Sequence, residues 1–198
     1  FILSLFAGKR IKVISVMKYY NSLISRVLLK LSGVEFIVFS KDASEYYKNI
    51  LGNKRVIYLT TGVDTEKFMP VSAEKSAELK SKYGFDSRRP VILHVGHLNS
   101  GRNIAQLMKF DKKYQVLLVT STLTKDEQDS ELKNKLLGCS NIRLIDDYIP
   151  NIEEIYQLAD VYFFPVLEAG RCIDVPLSAM EAAACNKPII TTEFGEMK

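Results

Sequence analysis

A segment in the middle of the chain has the composition of an anion-binding turn. It runs from His94 to Asn103, with the sequence HVGHLNSGRN, and directly follows an apolar run. Gly96 would let the backbone come close to a ligand, and a helix is predicted to begin near Arg102. A helix amino terminus beside an arginine binds phosphate groups through backbone N–H donors and the guanidinium. The alternative is that the glycine-containing turn serves only to connect a strand to a helix.

Two histidines in this turn raise the question of a metal site. His94 and His97 are three residues apart in a predicted strand, so their side chains point to opposite faces. No carboxylate flanks them, and a metal needs several converging ligands. We therefore predict no metal site here and interpret His94 as a hydrogen-bonded core residue.

A second set of residues that could bind a ligand lies between residues 163 and 192. The loop after a predicted strand carries four residues of interest: Glu168, Gly170, Arg171 and Asp174. Pro176 is expected to open the next helix, which places Glu181 within its first two turns. A carboxylate there can accept two hydroxyl groups at once, such as the 2′ and 3′ hydroxyls of a ribose, because both of its oxygens are acceptors. The alternative is a surface glutamate that interacts favourably with the start of a helix.

Alternating strand-like and helix-like segments must position these residues. In the first part, short β-branched runs predict buried parallel strands at 11–17, 35–40 and 55–61. Apolar residues at three- and four-residue spacing predict a helix over 20–31. A second helix is predicted over 42–51, opened by a capping box of Asp42 and Glu45.

The alternation resumes after a polar stretch at 63–90, which contains one predicted helix at 73–83. The predicted strands are 91–98, 115–122, 142–149, 161–166 and 188–192, and the predicted helices lie near 104–110, 126–137, 152–159 and 176–185. This order predicts an α/β fold of doubly wound, parallel-sheet (Rossmann-like) domains. Ligands of such sheets bind beyond the carboxyl ends of the strands.

Composition limits the cellular setting. The content of 47% hydrophobic and 25% charged residues is typical of a soluble chain with a core. Three cysteines in no Cys-x-x-Cys pair indicate reduced thiols in the cytoplasm. Residues 1–62 hold ten Lys/Arg against three Asp/Glu, a net +7. This balance fits either solvated surface lysines or contact with an anionic membrane surface or a phosphate-bearing substrate.

Three stretches, in order, resemble landmarks of the GT-B glycosyltransferases known as glycosyl transferases group 1, or glycosyltransferase family 4. YLTTGVDTEKFMPVS (58–72) resembles the interdomain stretch, ILHVGHLNSGRNIAQL (92–107) the phosphate loop, and 159–195 the segment that ends in VPLSAMEAAACNKPIITTEFG. The resemblance implies that 1–62 is the C-terminal part of an acceptor-side Rossmann-like domain and 63–90 an interdomain linker. Residues 91–198 would be a truncated donor-binding domain, so we expect the chain to be incomplete at both ends.

The same resemblance implies a set of donor-binding residues. Arg102 falls where the family has the lysine that binds the donor diphosphate, and His97 falls on the family's arginine. Glu181 matches the second glutamate of the family's paired-glutamate motif, which is implied to hold the donor ribose. With Gly96 in the phosphate loop, these residues are predicted to form the donor site.

The first glutamate of that motif has no direct counterpart. Ile173 stands at its position, eight residues before Glu181. Asp174 is one residue away and is included in the predicted donor site, and Glu168, further back on a longer loop, is the alternative carboxylate. The sequence leaves open which of the two faces the transferred sugar.

The activity implied by the resemblance is transfer of a hexose from a nucleoside diphosphate sugar, with retention of configuration, to a glycan, lipid-linked or small-molecule acceptor. Arg102, a helix dipole and backbone amides would stabilise the charge on the departing diphosphate, without a metal or other cofactor. We assign no catalytic residue and expect the chain as given to bind donor without transferring sugar. The expected location is cytoplasmic, peripheral at the inner membrane face through the basic first part, with no nucleic-acid partner.

Two other functions are alternatives, and the sequence argues against the second. One is a non-catalytic module of the same fold that binds a nucleotide sugar. The other is a flavodoxin-like signalling domain, which would need an acidic cluster after its first strand, and the sequence has none there.

Overall fold

The computed structural model describes residues 11–16, 22–120, 129–167 and 172–197. These residues form two α/β units. The first comprises 11–16, 22–61, 172–175 and 194–197, and the second comprises 62–120, 129–167 and 176–193. Some of the predicted strands and helices begin or end within 17–21 or 121–128. These two segments lie outside the described residues, and so do Glu168, Gly170 and Arg171.

The first unit contains a parallel three-stranded sheet. Its strands are β1 (Lys12–Ser15), β2 (Glu35–Val38) and β3 (Val56–Tyr58), in the order β1-β2-β3. Its helices are α1 (Leu23–Leu31) and α2 (Lys41–Leu51). The core of the unit is formed by Leu29, Val34, Phe36, Val38, Ala43, Tyr47 and Val56.

The start of helix α2 differs from the prediction. Its N-cap is Ser40, whose Oγ accepts the backbone N–H of Ala43 at 3.1 Å. The predicted capping box of Asp42 and Glu45 is therefore wrong. Ser40 has the extended backbone that an N-cap needs, and Asp42 lies inside the first turn, where a negative charge still interacts favourably with the helix dipole.

Helix α1 carries large apolar side chains on the surface of the described structure. Leu29 is fully buried, whereas Leu23, Ile24 and Leu31 are 69–78% exposed. The apolar face that the sequence predicts for this helix is therefore present but uncovered by the described residues. In all the residues that the structure describes, no helix is both long and apolar enough to cross a membrane.

The second unit contains a five-stranded sheet, and all of its pairings are parallel. The strands are β4 (Val91–Gly96), β5 (Gln115–Thr120), β6 (Ile142–Ile145), β7 (Val161–Phe164) and β8 (Ile189–Thr191). The helices are α3 (Ala73–Lys82), α4 (Ser130–Leu137), α5 (Ile152–Leu158) and α6 (Leu177–Ala184). The strand order β6-β5-β4-β7-β8 is that of a doubly wound sheet, which confirms the predicted α/β class.

The segment predicted as a linker packs as part of the second unit. Lys80 of helix α3 is 6% exposed, and its Nζ lies 2.7 Å from Oδ2 of Asp160, just before β7. Lys82 and Tyr83, at the end of α3, both donate to Glu154 of α5. These contacts hold α3 against α5.

Two local predictions around the site are corrected. The predicted helix near 104–110 consists of 3-10 turns, Ser100–Arg102 and Ile104–Lys109, which are separated by Asn103 in the left-handed conformation (φ 58°). A left-handed residue cannot lie within a right-handed helix, so the two turns do not join into one helix. Pro176 is the N-cap of α6 rather than its first helical residue.

Candidate functional site

The strand order of the second unit reverses between β4 and β7. From β4 the chain moves outward to β5 and β6, and then crosses back to β7 and β8. β4 pairs with β7 through Ile92↔Val161 and Leu93↔Tyr162, near the start of both strands. A crevice therefore opens beyond their carboxyl ends, and such a crevice is where doubly wound sheets bind ligands.

Side chains join the two strand ends across this crevice. Nδ1 of His94 bonds to the carbonyl oxygen of Phe163 at 2.8 Å, and the Tyr162 hydroxyl lies 3.2 Å from the carbonyl oxygen of Val95. Nδ2 of Asn103 donates to the carbonyl of Pro165 at 3.1 Å. The turn after β4 is thus fixed to the loop after β7 at the point where the strands no longer pair.

His94 is fully buried and neutral, as the sequence predicted for a core residue. Since its Nδ1 bonds to a carbonyl oxygen, Nδ1 carries the proton and Nε2 presents a lone pair. The pKa of His94 is lowered to about 4, mainly by burial; the bond to Phe163 opposes this shift, and the Arg102 charge adds to it. Nε2 has no hydrogen-bond partner among the described residues.

Gly96, the last residue of β4, leaves room for the side chain of Arg102. Arg102 is only 8% exposed, and a Cβ placed on Gly96 would lie 2.7 Å from its Nη1 and 3.2 Å from Nε2 of His94. The guanidinium of Arg102 therefore lies next to the space beside Gly96, where we predicted that a ligand would approach the backbone. Because Arg102 lies in a 3-10 turn, the helix-dipole contribution predicted here is small, and the guanidinium is the main positive group. His97 follows β4 directly and is half-buried.

Glu181 is the fifth residue of α6, the helix that follows the loop after β7. Its Oε2 accepts a 2.5 Å hydrogen bond from the Tyr156 hydroxyl on α5. Burial raises the pKa of the Glu181 carboxyl, whereas the bond from Tyr156 and the charge of Lys67 lower it. The side chain is thus a partly buried, held carboxylate rather than a free surface group.

Tyr156 is the residue of this site that sequence reasoning missed. It lies on the buried face of α5 and is 0% exposed. A tyrosine on the apolar face of a helix needs a buried partner for its hydroxyl, and that need was a usable signal. The identity of the partner depends on tertiary structure, because Tyr156 and Glu181 are 25 residues apart.

Asp174 belongs to the first unit and forms hydrogen bonds there. Its Oδ2 accepts a hydrogen bond from Oγ of Ser40 at 2.8 Å, at the start of α2. Its carbonyl accepts the N–H of Glu196 at 2.9 Å, and Glu196 in turn accepts the N–H of Lys41. Arg102 and Glu181 belong to the second unit, and the part of Asp174 in donor binding stays a prediction. Among the described residues, no group of three or more His, Cys, Asp and Glu side chains could hold a metal ion.

Comparison with known proteins supports the family resemblance of the sequence motifs over most of the second unit. A model of the family described as Glycosyl transferases group 1 matches residues 89–198. The putative glycosyltransferase EpsD of Bacillus subtilis is 28% identical over 137 residues, which cover 67% of this chain and 35% of that protein. The N,N'-diacetylbacillosaminyl-diphospho-undecaprenol alpha-1,3-N-acetylgalactosaminyltransferase of Campylobacter jejuni is 21% identical over 172 residues, covering 80% of this chain and 42% of that protein.

Solved structures show the same fold. A glycosyltransferase from Rickettsia africae superposes with a TM-score of 0.73 at 15% identity, covering 93% of this chain and 52% of that one. HepE from Anabaena in complex with UDP superposes with a TM-score of 0.74 at 14% identity, covering 99% and 57%. The chain therefore spans about a third to just over half of the proteins named here.

Proposed function

The chain belongs to the glycosyl transferases group 1 family, and on that premise we propose that its second unit binds a nucleoside diphosphate sugar whose sugar is transferred to an acceptor. One observation carries the proposal. The buried guanidinium of Arg102 follows β4, and the held carboxylate of Glu181 follows β7, so the two strands that flank the switch point each supply one group. A cation suits a diphosphate, and a carboxylate suits the hydroxyls of a ribose.

Arg102 would stabilise the transition state through charge. When the bond between the sugar and the diphosphate breaks, negative charge develops on the diphosphate oxygens. A guanidinium fixed by packing against Gly96 and His94 needs little reorganisation to stabilise that charge. Protein cations would thereby serve in place of a metal, and we propose that the reaction needs no cofactor.

The identity of the sugar and the stereochemistry are finer proposals. We propose a hexose donor, with retention of the anomeric configuration, as the family resemblance implies. Proton NMR of the product formed by the full-length protein measures the configuration directly. An inverted product would contradict this part of the proposal and leave donor binding intact.

For the acceptor we propose a glycan, a lipid-linked sugar or a small molecule, with the lipid-linked class as the first to test. The Campylobacter relative is named for a diphospho-undecaprenol substrate. The net +7 of residues 1–62 and the exposed apolar side chains of α1 support peripheral contact with an anionic membrane. On this proposal the protein acts at the cytoplasmic face of the membrane.

A non-catalytic binding module is the second candidate. It is favoured by Ile173 at the position of the first motif glutamate, and by the bond between Asp174 and Ser40. The two functions are separated by incubating the full-length protein with a panel of labelled nucleotide sugars and candidate acceptors. Labelled product supports the transferase. Saturable binding of a nucleotide sugar without product, across the panel, would support the module instead.

A further inference from the structure

The ring of Tyr156 is fixed on two sides within the second unit. Phe68 packs edge-on against it, with ring centroids 5.6 Å apart, and Tyr162 lies 6.0 Å away. Tyr156 is fully buried, so the surrounding atoms restrict movement of its ring. The ring therefore presents its hydroxyl at one position.

The partner at that position is the Glu181 carboxylate. The hydroxyl–Oε2 distance is 2.5 Å, which is at the short end of the range for a hydrogen bond to a charged acceptor. Among the described residues, Tyr156 alone hydrogen-bonds to this carboxylate. One of the two oxygens is thus engaged from within the protein, and Oε1 retains its capacity to accept.

We infer that Tyr156 is a positioning residue, which holds Oε2 of Glu181 so that Oε1 is oriented to accept the ribose hydroxyls of the bound nucleotide. The inference rests on the proposed function, since it assigns Glu181 to the ribose. It goes further in one respect, because it makes the geometry of ribose recognition depend on a tyrosine of a different helix. Glutamate side chains are long, and an unheld carboxylate would lose rotamer freedom on binding the ligand.

The same bond favours the ionised form of the Glu181 carboxyl. Burial raises the pKa of the Glu181 carboxyl, and the Tyr156 hydroxyl and the Lys67 charge lower it. Burial also raises the pKa of Tyr156 well above its ordinary value, so the hydroxyl stays a neutral donor. The thiol of Cys185, whose pKa burial raises to about 11, lies near the same carboxylate and is also neutral. Removing the hydroxyl should therefore raise the pKa of Glu181 further.

The test uses the full-length protein and the variant Tyr156→Phe, which keeps the ring and removes the hydroxyl. The matched control is Tyr83→Phe, because the Tyr83 hydroxyl also bonds to a glutamate, at 2.6 Å from Oε2 of Glu154. Calorimetry would measure binding of the tightest of UDP, ADP and GDP, and of its 2′,3′-dideoxy analogue. We expect Tyr156→Phe to weaken the parent nucleotide about two- to tenfold. The dideoxy analogue should bind this variant as it binds the wild type, and Tyr83→Phe should change neither affinity.

The pH profile gives a second readout that a purely structural role would not move. In Tyr156→Phe the acid limb of nucleotide binding should shift to higher pH, because Glu181 protonates more readily there. Equal loss for the parent and dideoxy nucleotides, or no loss for either, would overturn the assignment of Tyr156. If the wild-type protein itself binds both nucleotides equally, the ribose role of Glu181 fails and the inference falls with it.

Discussion

Gly96→Ala should weaken donor binding by displacing the guanidinium of Arg102. Gly96 has an ordinary backbone conformation, so the added methyl group acts only by contact. It would lie 2.7 Å from Nη1 of Arg102, whereas unstrained contacts need about 3.5 Å, so the guanidinium must shift by about 0.8 Å. A charge-assisted hydrogen bond of about 2.8 Å would stretch to about 3.6 Å, beyond the range of such bonds.

The expected loss follows from that geometry. Losing a hydrogen bond to a charged group costs about 1.5–3 kcal/mol, which is about ten- to 150-fold in affinity. The folded state should lose no more than the about 1–3 kcal/mol typical of an overpacked core, because the closest contact is with the terminal atoms of a long side chain and the contact with Nε2 of His94, at 3.2 Å, is milder. Binding and stability should therefore respond differently to this one methyl group.

Calorimetry with the preferred nucleoside diphosphate, and urea unfolding of the same variants, measure the two effects. Gly33→Ala is a matched control, since a Cβ there would have no atom of the described residues within 4 Å. In an Arg102→Ala background, Gly96→Ala should cause no further loss of affinity, because the group that it displaces is absent. Unchanged binding by Gly96→Ala, or the same loss in both backgrounds, would refute the reasoning.

Four further predictions concern charge and environment. Glu181→Gln should weaken nucleotide binding about ten- to a hundredfold, by calorimetry, since the ribose hydroxyls lose a charged acceptor; normal binding with a lower melting temperature would make Glu181 structural. His94 has an ordinary pKa of 6.5 and a folded pKa of about 4, so its contribution to stability is complete above pH 6.5 and is lost as pH falls towards 4. Urea unfolding should therefore show about 2–3 kcal/mol less stability at pH 4.5 than at pH 7 from this group, and a smaller pH effect in His94→Gln. EDTA should not abolish turnover by the full-length protein, and loss that magnesium or manganese restores would contradict the proposed metal-free reaction. Liposome co-sedimentation should show salt-sensitive binding to anionic vesicles, and equal binding to neutral ones would exclude the electrostatic contact.

The sheet of the second unit was predictable because its central strands, β4 and β5, are buried on both faces, whereas β1 and β3 of the first unit, predicted to be buried, are largely exposed. Strands buried on both faces read as nearly continuous apolar runs, as Val91–Gly96 and Gln115–Thr120 do, and each predicted run became a strand. Several predicted strands were too long. Strand β6 (Ile142–Ile145) ends just before Asp146, whose carboxylate accepts a hydrogen bond from Thr120 and pairs with Lys133. Apolar content alone does not mark that end.

The local geometry of the site was less accessible to sequence reasoning. Ser40 and Asp42 are both good N-cap residues, so composition could not choose between them. Asn103 reads as a turn residue, but local sequence predicts neither its left-handed conformation, which ends the first 3-10 turn, nor its bond to Pro165 across the crevice. The bond from Ser40 to Asp174 joins residues 134 apart in the chain, which no local pattern encodes.

The bond between His94 and Phe163 gives this protein a built-in spectroscopic reporter. The chain has two histidines, so an imidazole nitrogen spectrum contains few signals to assign. Nδ1 of His94 is fixed as the protonated nitrogen, and Nε2 lies near Gly96 and Arg102, where the ligand is proposed to bind. A nucleotide that shifts the guanidinium, or brings a donor to Nε2, would change the Nε2 chemical shift while leaving Nδ1 nearly constant. Titration of the isotope-labelled protein would thus follow occupancy of the crevice without any added probe.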